Sequence, residues 1–255
     1  MSQLLRHPAV LFVLLLVLLA SATAIGSLVL RRMRPIADDH REDFTIVQGA
    51  TLTLLALLIG FTLSMAVGRY DQRKNLEEEE ANAIGTEYLR ADLMNTEGGD
   101  KARTLLVRYL EQRIRYYGAH GGQGLEAIGA ATAQLEDEMW QVVRDAARKT
   151  PTPITALAVS GMNDVINAQG YAEAAWRNRI PVAAWGLMVA IAVFSSVMQG
   201  YGARTSRARI GLLLIMPLTV ALSLALIADI DSPRGGLIRV APQNLLSLQG
   251  SLRAP

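Results

Sequence analysis

Cysteine is absent from the 255-residue chain, which excludes disulfide frameworks, zinc thiolate sites and thiol nucleophiles, and leaves the redox compartment unreported. Histidine is scarce. The three present, His7, His40 and His120, stand in separate segments without metal-ligand spacing, so each reads as a solvent-exposed side chain rather than a ligand. Net charge is small as well, +2 at pH 7. Lys and Arg flank apolar runs instead of forming one basic face, which argues against nucleic acid as a partner. The most informative absence is local: in four long apolar runs there is no Asp, Glu, Lys, Arg or His at all. Proton-coupled carriers and voltage sensors keep such groups in the membrane, and an intramembrane hydrolase needs an acid or base beside its serine. All three classes are disfavoured.

What is present is apolar surface in blocks. Hydrophobic residues make up 51% of the chain and concentrate in residues 8–30, 44–68, 180–200 and 210–228. A helix needs roughly 20 apolar residues to cross a bilayer core, where unpaired backbone groups cannot be left in hydrocarbon. Each run meets that length or comes close. The fourth is the shortest and holds Pro217, which frees a backbone carbonyl and predicts a kink. The first has a competing reading as a cleavable signal peptide, with Arg6 ahead of the apolar run and Ala22-Thr23-Ala24 as the cleavage site. Its continuation through Ile25 and Leu28 to Leu30, with Arg31, Arg32 and Arg34 behind it, favours a retained span.

Between the second and third runs the pattern becomes amphipathic helix. The second run continues past Gly68 as a charged helix without proline to Met94, with Leu76, Ala83, Ile84 and Tyr88 on one face, until Asn95–Gly99 breaks it. Asp100 is the expected N-cap of a helix burying Ala102, Leu105, Leu106, Tyr109 and Leu110. After the glycine-rich stretch 118–124, which lacks the lysine of a phosphate loop, a helix over 125–149 presents Ile128, Leu135, Met139, Val142 and Ala146. A fourth starts near Ile154 with Leu157, Met162, Val165 and Ile166. No window alternates as a strand does.

The predicted architecture is therefore an all-α integral membrane protein with a first transmembrane hairpin (1–68), a four-helix soluble domain (69–179), a second hairpin (180–228) and a C-terminal tail (229–255) that reads as irregular with a short helix at its end. Its setting is a lipid bilayer, multi-pass, as in a bacterial inner membrane. Orientation is balanced: Arg31, Arg32, Arg34, Arg41, Arg204, Arg207 and Arg209 border one side, and Arg6, Arg69, Arg73, Lys74, Arg177, Arg179, Arg234 and Arg239 the other, seven against eight. Short loops obey the charge rule better than long domains do, which leans toward the soluble domain outside.

Three groups of residues are candidates for function. In the second run, Thr45, Gly49, Thr53, Ala56, Gly60, Ser64 and Gly68 recur every three or four residues, so one face is small or weakly polar. Such a face packs helices closely, above all at Gly49, Gly60 and Gly68, or borders an aqueous path to which Gln48 and Thr51 add amide and hydroxyl groups. The run Glu77–Glu80 reads as a solvated face, because consecutive helical residues point about 100° apart and cannot chelate one ion together. Asp229 and Asp231 fall at the exit of the fourth run, where acids oppose the helix dipole. An ion pair with Arg234 or Arg239 is expected to offset that. No metal site, cofactor loop or catalytic constellation is found.

The stretch Gly60-Phe61-Thr62 to Arg69-Tyr70-Asp71, then Glu79-Glu80-Ala81-Asn82-Ala83-Ile84-Gly85 to Tyr88, resembles the signature of the bacterial and plant membrane proteins called bestrophin-like. Arg177-Asn178-Arg179-Ile180-Pro181 with Trp185, and Asp229-Ile230-Asp231-Ser232-Pro233 with Gly236-Leu237-Ile238-Arg239-Val240, resemble its later motifs. The resemblance implies a distant relation to bestrophins, pentameric anion channels whose second membrane helix lines the pore. It thus implies a homo-oligomer passing small anions, with Thr45, Gln48, Thr51 and Ser64 as lining. The chain lacks the aromatic Pro-Phe neck of true bestrophins and their acidic calcium-binding run after the fourth helix, so calcium gating is not carried over. Bestrophin orientation puts the large domain in the cytoplasm, opposite to the lean of the short-loop charges. The alternative is a non-conducting scaffold or sensor whose helical domain binds a protein partner.

Overall fold

The computed structural model describes residues 8–33, 36–94, 96–119, 123–203 and 210–253. Among them are eight long helices and no strand: α1 (Pro8–Ala24), α2 (Arg41–Arg90), α3 (Thr96–Gly118), α4 (Gln123–Lys149), α5 (Pro153–Arg177), α6 (Val182–Gly202), α7 (Ile210–Asp231) and α8 (Gln243–Arg253). The chain divides into two compact units, Met1–Gly68 with Arg179–Ile238, and Arg69–Asn178 with Arg239–Pro255. The predicted all-α class holds. Four helical stretches are long and apolar enough to cross a membrane: Pro8–Met33, Arg41–Leu93, Pro153–Gly202 and Gly211–Asp231. His7, His120 and the arginines at 6, 34, 204, 207 and 209 lie outside the described residues, and His40 is exposed as expected.

In the membrane unit, α1 packs on α6 and α7, burying Leu15, Leu19 and Ala22 against a core that includes Met188, Ala192, Ala221 and Leu224. Past Ala24 the helix widens into a π-helical stretch, Ile25–Leu30, and a last turn, Arg31–Met33. This wide turn occurs where two glycines let backbones touch. A Cβ on Gly26 would overlap the carbonyl oxygen of Val197, and one on Gly200 would overlap that of Thr23. The crossing is therefore reciprocal, each glycine seated on the other helix's backbone, the arrangement that small residues allow between membrane helices. Just beyond it, Arg31 donates from Nη1 to the carbonyl of Ala203, the residue that closes α6, where a cation suits the negative end of the helix. Ala22 and Thr23, part of the tripeptide that resembles a cleavage site, are buried within this continuous helix. Pro217 lies inside α7 as expected.

In the soluble unit, α4 packs on α3 and α5, and α8 on α3. Ile84, Leu106, Tyr109, Leu110, Met139 and Met162 are all within 1% of full burial. Each such side chain removed from water contributes about 1.5–3 kcal/mol before entropy is charged. Trp176 meets the rings of Tyr116 and Tyr117 edge-on at centroid distances of 5.7 and 5.3 Å, the approach that the aromatic quadrupole favours.

Three expectations need correction. The break at 95–99 is shorter than expected: α3 already begins at Thr96, so Asp100 is a helical residue and not an N-cap. Gly99 belongs to the first turn, where a Cβ would stand 2.5 Å from the Ala91 carbonyl oxygen. Glycine there serves close approach to the preceding turn, not termination. Leu157 is 50% exposed, and Ala158 takes its place in the core with Met162 and Val165. That phase is fixed by a capping box at the start of α5, where the Thr155 amide donates to Thr152 Oγ1 (3.2 Å) and the Thr152 amide to Thr155 Oγ1 (3.0 Å). The third correction concerns Glu77–Glu80.

Candidate functional site

The long helix α2 carries two features that bear on function, one in each unit. In the membrane unit its helical phase divides it sharply. Leu55, Thr62 and Ala66 are buried at 2%, 7% and 0% exposure, whereas Thr45, Gly49, Thr53, Ala56, Gly60, Ser64 and Gly68 are all exposed. Outside their own helix backbone, none of the described residues lies within 4 Å of a Cβ placed on Gly49, Gly60 or Gly68. Of the four candidate spans this one is the least covered by its own chain, with 17% of its most apolar window buried against 28%, 33% and 39% for the others. Close glycine packing within the unit thus occurs at Gly26 and Gly200 rather than on the α2 stripe.

Gln48 and Thr51 are half-buried beside that stripe. Gln48 lies near Gly202, whose missing side chain also leaves room for Phe44, and Phe44 meets Tyr201 edge-on at 5.6 Å. The threonine hydroxyls are already committed as donors: Thr45 to the Arg41 carbonyl (2.8 Å), Thr51 to Val47 (2.8 Å) and Thr53 to Gly49 (2.9 Å). Each keeps acceptor lone pairs, and the half-buried Gln48 amide adds N–H donors beside this face.

In the soluble unit α2 and the 3-10 turn that follows it bury a stripe spaced four and three residues apart: Arg73, Glu77, Glu80, Ile84, Glu87 and Ala91, every one at 1% exposure or less. Four of the six are charged. Arg73 donates to the carbonyls of Ala175 (3.3 Å) and Asn178 (3.4 Å) at the C-terminal end of α5. One turn on, Glu77 accepts from the amides of Asn244 and Leu245 (3.0 Å each) and from Asn244 Nδ2 (2.7 Å), capping the N-terminus of α8. Cation at a C-terminus and carboxylate at an N-terminus both complement the helix dipole. Only Glu78 and Glu79 of the acidic run are exposed. The expected solvated face is correct for those two and wrong for Glu77 and Glu80, whose partners are helix ends and a buried arginine. Removing the cap in Glu77→Ala is expected to weaken α8 docking by about 2 kcal/mol, given the strength of hydrogen bonds to a charged acceptor. Faster hydrogen exchange confined to residues 243–253 is the readout.

Glu80 pairs with Arg113 Nε and accepts from the Tyr117 hydroxyl (3.0 Å), and Arg113 Nη1 also reaches Glu173 (3.1 Å), which Gln169 holds at 2.6 Å. The guanidinium lies 4.4 Å over the Tyr116 ring. Burial works against the Arg113 charge, but the Glu80 carboxylate more than offsets it and holds the guanidinium protonated. Burial pushes the Glu80 carboxyl up from its ordinary value while Arg113 and Tyr117 pull it back. On α4, Glu136 is pushed up to about 7, again by burial against the pull of Arg113. Four helices thus meet on one guanidinium. Among the described residues, no group of three metal-ligating side chains converges there or elsewhere.

At the end of α7, Asp229 accepts from the amides of Leu237 (2.7 Å) and Ile238 (2.8 Å), and Asp231 from the amide of Ile180 (3.2 Å to each oxygen). Gly236 makes the first possible, since a Cβ there would stand 2.6 Å from the Asp229 carbonyl oxygen. Backbone N–H groups are partners of these acids that the sequence reading did not foresee.

Comparison with known proteins places this layout. A family model described as Bestrophin-like domain matches residues 9–245. Among solved structures, a point variant of a bacterial Bestrophin homolog from Klebsiella pneumoniae superposes with a TM-score of 0.68 at 13% identity, covering 94% of this chain and 99% of that one. The homolog solved by Zn-SAD phasing gives 0.63 at 14% identity, covering 95% and 99%. No curated protein matches the sequence. At such identities the structures speak for the fold, and the family rests on the match across nearly the whole chain. The chain belongs to the Bestrophin-like family.

Proposed function

We propose that several copies of the chain assemble so that their α2 helices surround a narrow, weakly polar path for small anions. The observation that carries this reading is the open face of α2, small and hydroxyl-bearing from Thr45 to Gly68 and exposed throughout, on a helix whose other edge is buried at Leu55, Thr62 and Ala66. Gly49, Gly60 and Gly68 are the close-packing positions between copies, and Thr45, Gln48, Thr51 and Ser64 the lining. Because the Thr45 and Thr51 hydroxyls donate to their own helix, the lining donors that favour an anion are the Gln48 amide and the Ser64 hydroxyl. At the membrane edge, Arg234 supplies positive charge to Asp229 and Asp231. The protein sits multi-pass in a bacterial inner membrane.

Chloride flux into vesicles tests the lining. Gln48→Leu and Ser64→Leu are each expected to lower flux at least about tenfold with assembly unchanged, the effect of losing on the order of 1.4 kcal/mol at the barrier. Unchanged flux in a conducting wild type removes these residues from the path. The absence of cysteine makes Gly60→Cys a clean second probe, expected to crosslink copies under oxidation. A second reading, a scaffold or sensor, draws on exposed Ile154, Leu157 and Tyr171 on α5. Photo-crosslinking of a protein partner there, in a preparation without flux, would favour it.

A further inference from the structure

Glu87 is the one buried charge of the α2 stripe without a hydrogen-bond partner among the described residues. Its side chain is fully buried, and neither carboxylate oxygen has a donor in reach. The carboxylate rests against α5 at Gly161, where it fills the space a Cβ would need, with Arg90 Nη1 2.5 Å from that same point. The charged groups acting on it are Arg90, from its own helix, and Asp164, one turn beyond Gly161 on α5. These two form a loose ion pair of 3.8 Å with side-chain exposures of 32% and 59%, a partly solvated cover over a dry carboxyl. Arg90 is thus shared with Asp164 and does not hydrogen-bond Glu87.

We propose that Glu87 is a protonation-controlled latch between α2 and α5: with the carboxyl neutral the two helices close over Gly161, and with it ionised the contact opens. An ionised carboxylate left dry and unpaired is costly, whereas the neutral acid loses far less on burial. The direction of titration agrees, burial raising Glu87 to about 8. Gly161 fits the same account, because any side chain there would evict the carboxyl. Since α2 is one unbroken helix from Arg41 to Arg90, the latch grips the same element that carries the open membrane face. The inference concerns the soluble unit alone and does not depend on conduction.

The sign follows from linkage. The closed state keeps a proton that the open, solvated carboxyl has lost, so closure weakens as pH rises between the ordinary carboxyl value and about 8, by about tenfold per pH unit, and levels off above. Hydrogen exchange of residues 158–165 in full-length protein in nanodiscs reads this directly, comparing wild type with Glu87→Gln at each pH so that intrinsic exchange cancels. Wild type is expected to open progressively more than Glu87→Gln from pH 6 to 8. Identical profiles overturn the latch. Infrared titration of protein labelled with carboxyl-13C glutamate gives a second readout that survives poor folding of the amide variant. A neutral-acid band that persists at pH 7 and is lost in Glu87→Asp supports the proposal, and its disappearance by pH 5 overturns it.

Discussion

Gly200→Val is expected to prevent the membrane unit from assembling, costing on the order of 3 kcal/mol or more. The reason is the nature of the atom a side chain would meet. At Gly200 it is the Thr23 carbonyl oxygen, with Ser27 N close behind, and at Gly26 it is the Val197 carbonyl oxygen with Tyr201 N. Side chains can rotate away from an inserted methyl group, but a helical backbone moves only as a whole, and α1 is already fixed against α7 by Leu15 and Leu19. Gly26→Val should be as severe, and the double variant little worse than either, because one separation of helices relieves both clashes. Gly186 is the control on the same helix. Nothing approaches its Cβ position, so Gly186→Ala should stay within about 0.5 kcal/mol of wild type. Folded yield and melting temperature in detergent separate these outcomes.

Arg113→Met carries the second large effect, a loss of about 3–5 kcal/mol from the soluble unit, the usual result of leaving one partner of a buried ion pair behind. Glu80 would then be buried with Tyr117 as its remaining donor. The pH dependence distinguishes this cause from lost packing. In the variant the Glu80 carboxyl rises further, so the fold retains the acid best when protonated. Stability is kept at low pH and lost as pH rises through the raised value. The variant should accordingly melt much closer to wild type at pH 5 than at pH 8. Adding Glu80→Gln should recover part of the loss at pH 8, and no recovery would assign the defect to packing of the guanidinium over Tyr116.

What the sequence made legible, and what it hid, follows from the kind of signal each element carries. The membrane spans announce themselves because hydrocarbon tolerates so little charge, and Leu105, Leu106, Tyr109 and Leu110 because apolar periodicity marks a core face. The stripe Arg73, Glu77, Glu80, Ile84, Glu87 escaped that test because its members are charged. Its spacing of four, three, four and three was present in the sequence all along. Periodicity of charge on a helix that carries few apolar residues is the missed signal, and it matters here because helix ends and a single guanidinium, both invisible in sequence, are what those charges bury against. The glycines are ambiguous for a related reason. Gly49, Gly60 and Gly68 form the conspicuous pattern, yet among the described membrane helices Gly26 and Gly200 are the glycines set against the backbone of a neighbouring helix. Intrachain contact and contact between copies leave the same small-residue signature.

That distinction makes the assembly state the decisive quantity. Native mass spectrometry of the protein from nanodiscs measures it directly. A closed ring of several copies is the result the proposal predicts, because neighbouring chains would then cover the open face of α2 and wall a path between them. A monomer would contradict the account, because the proposed path lies between copies.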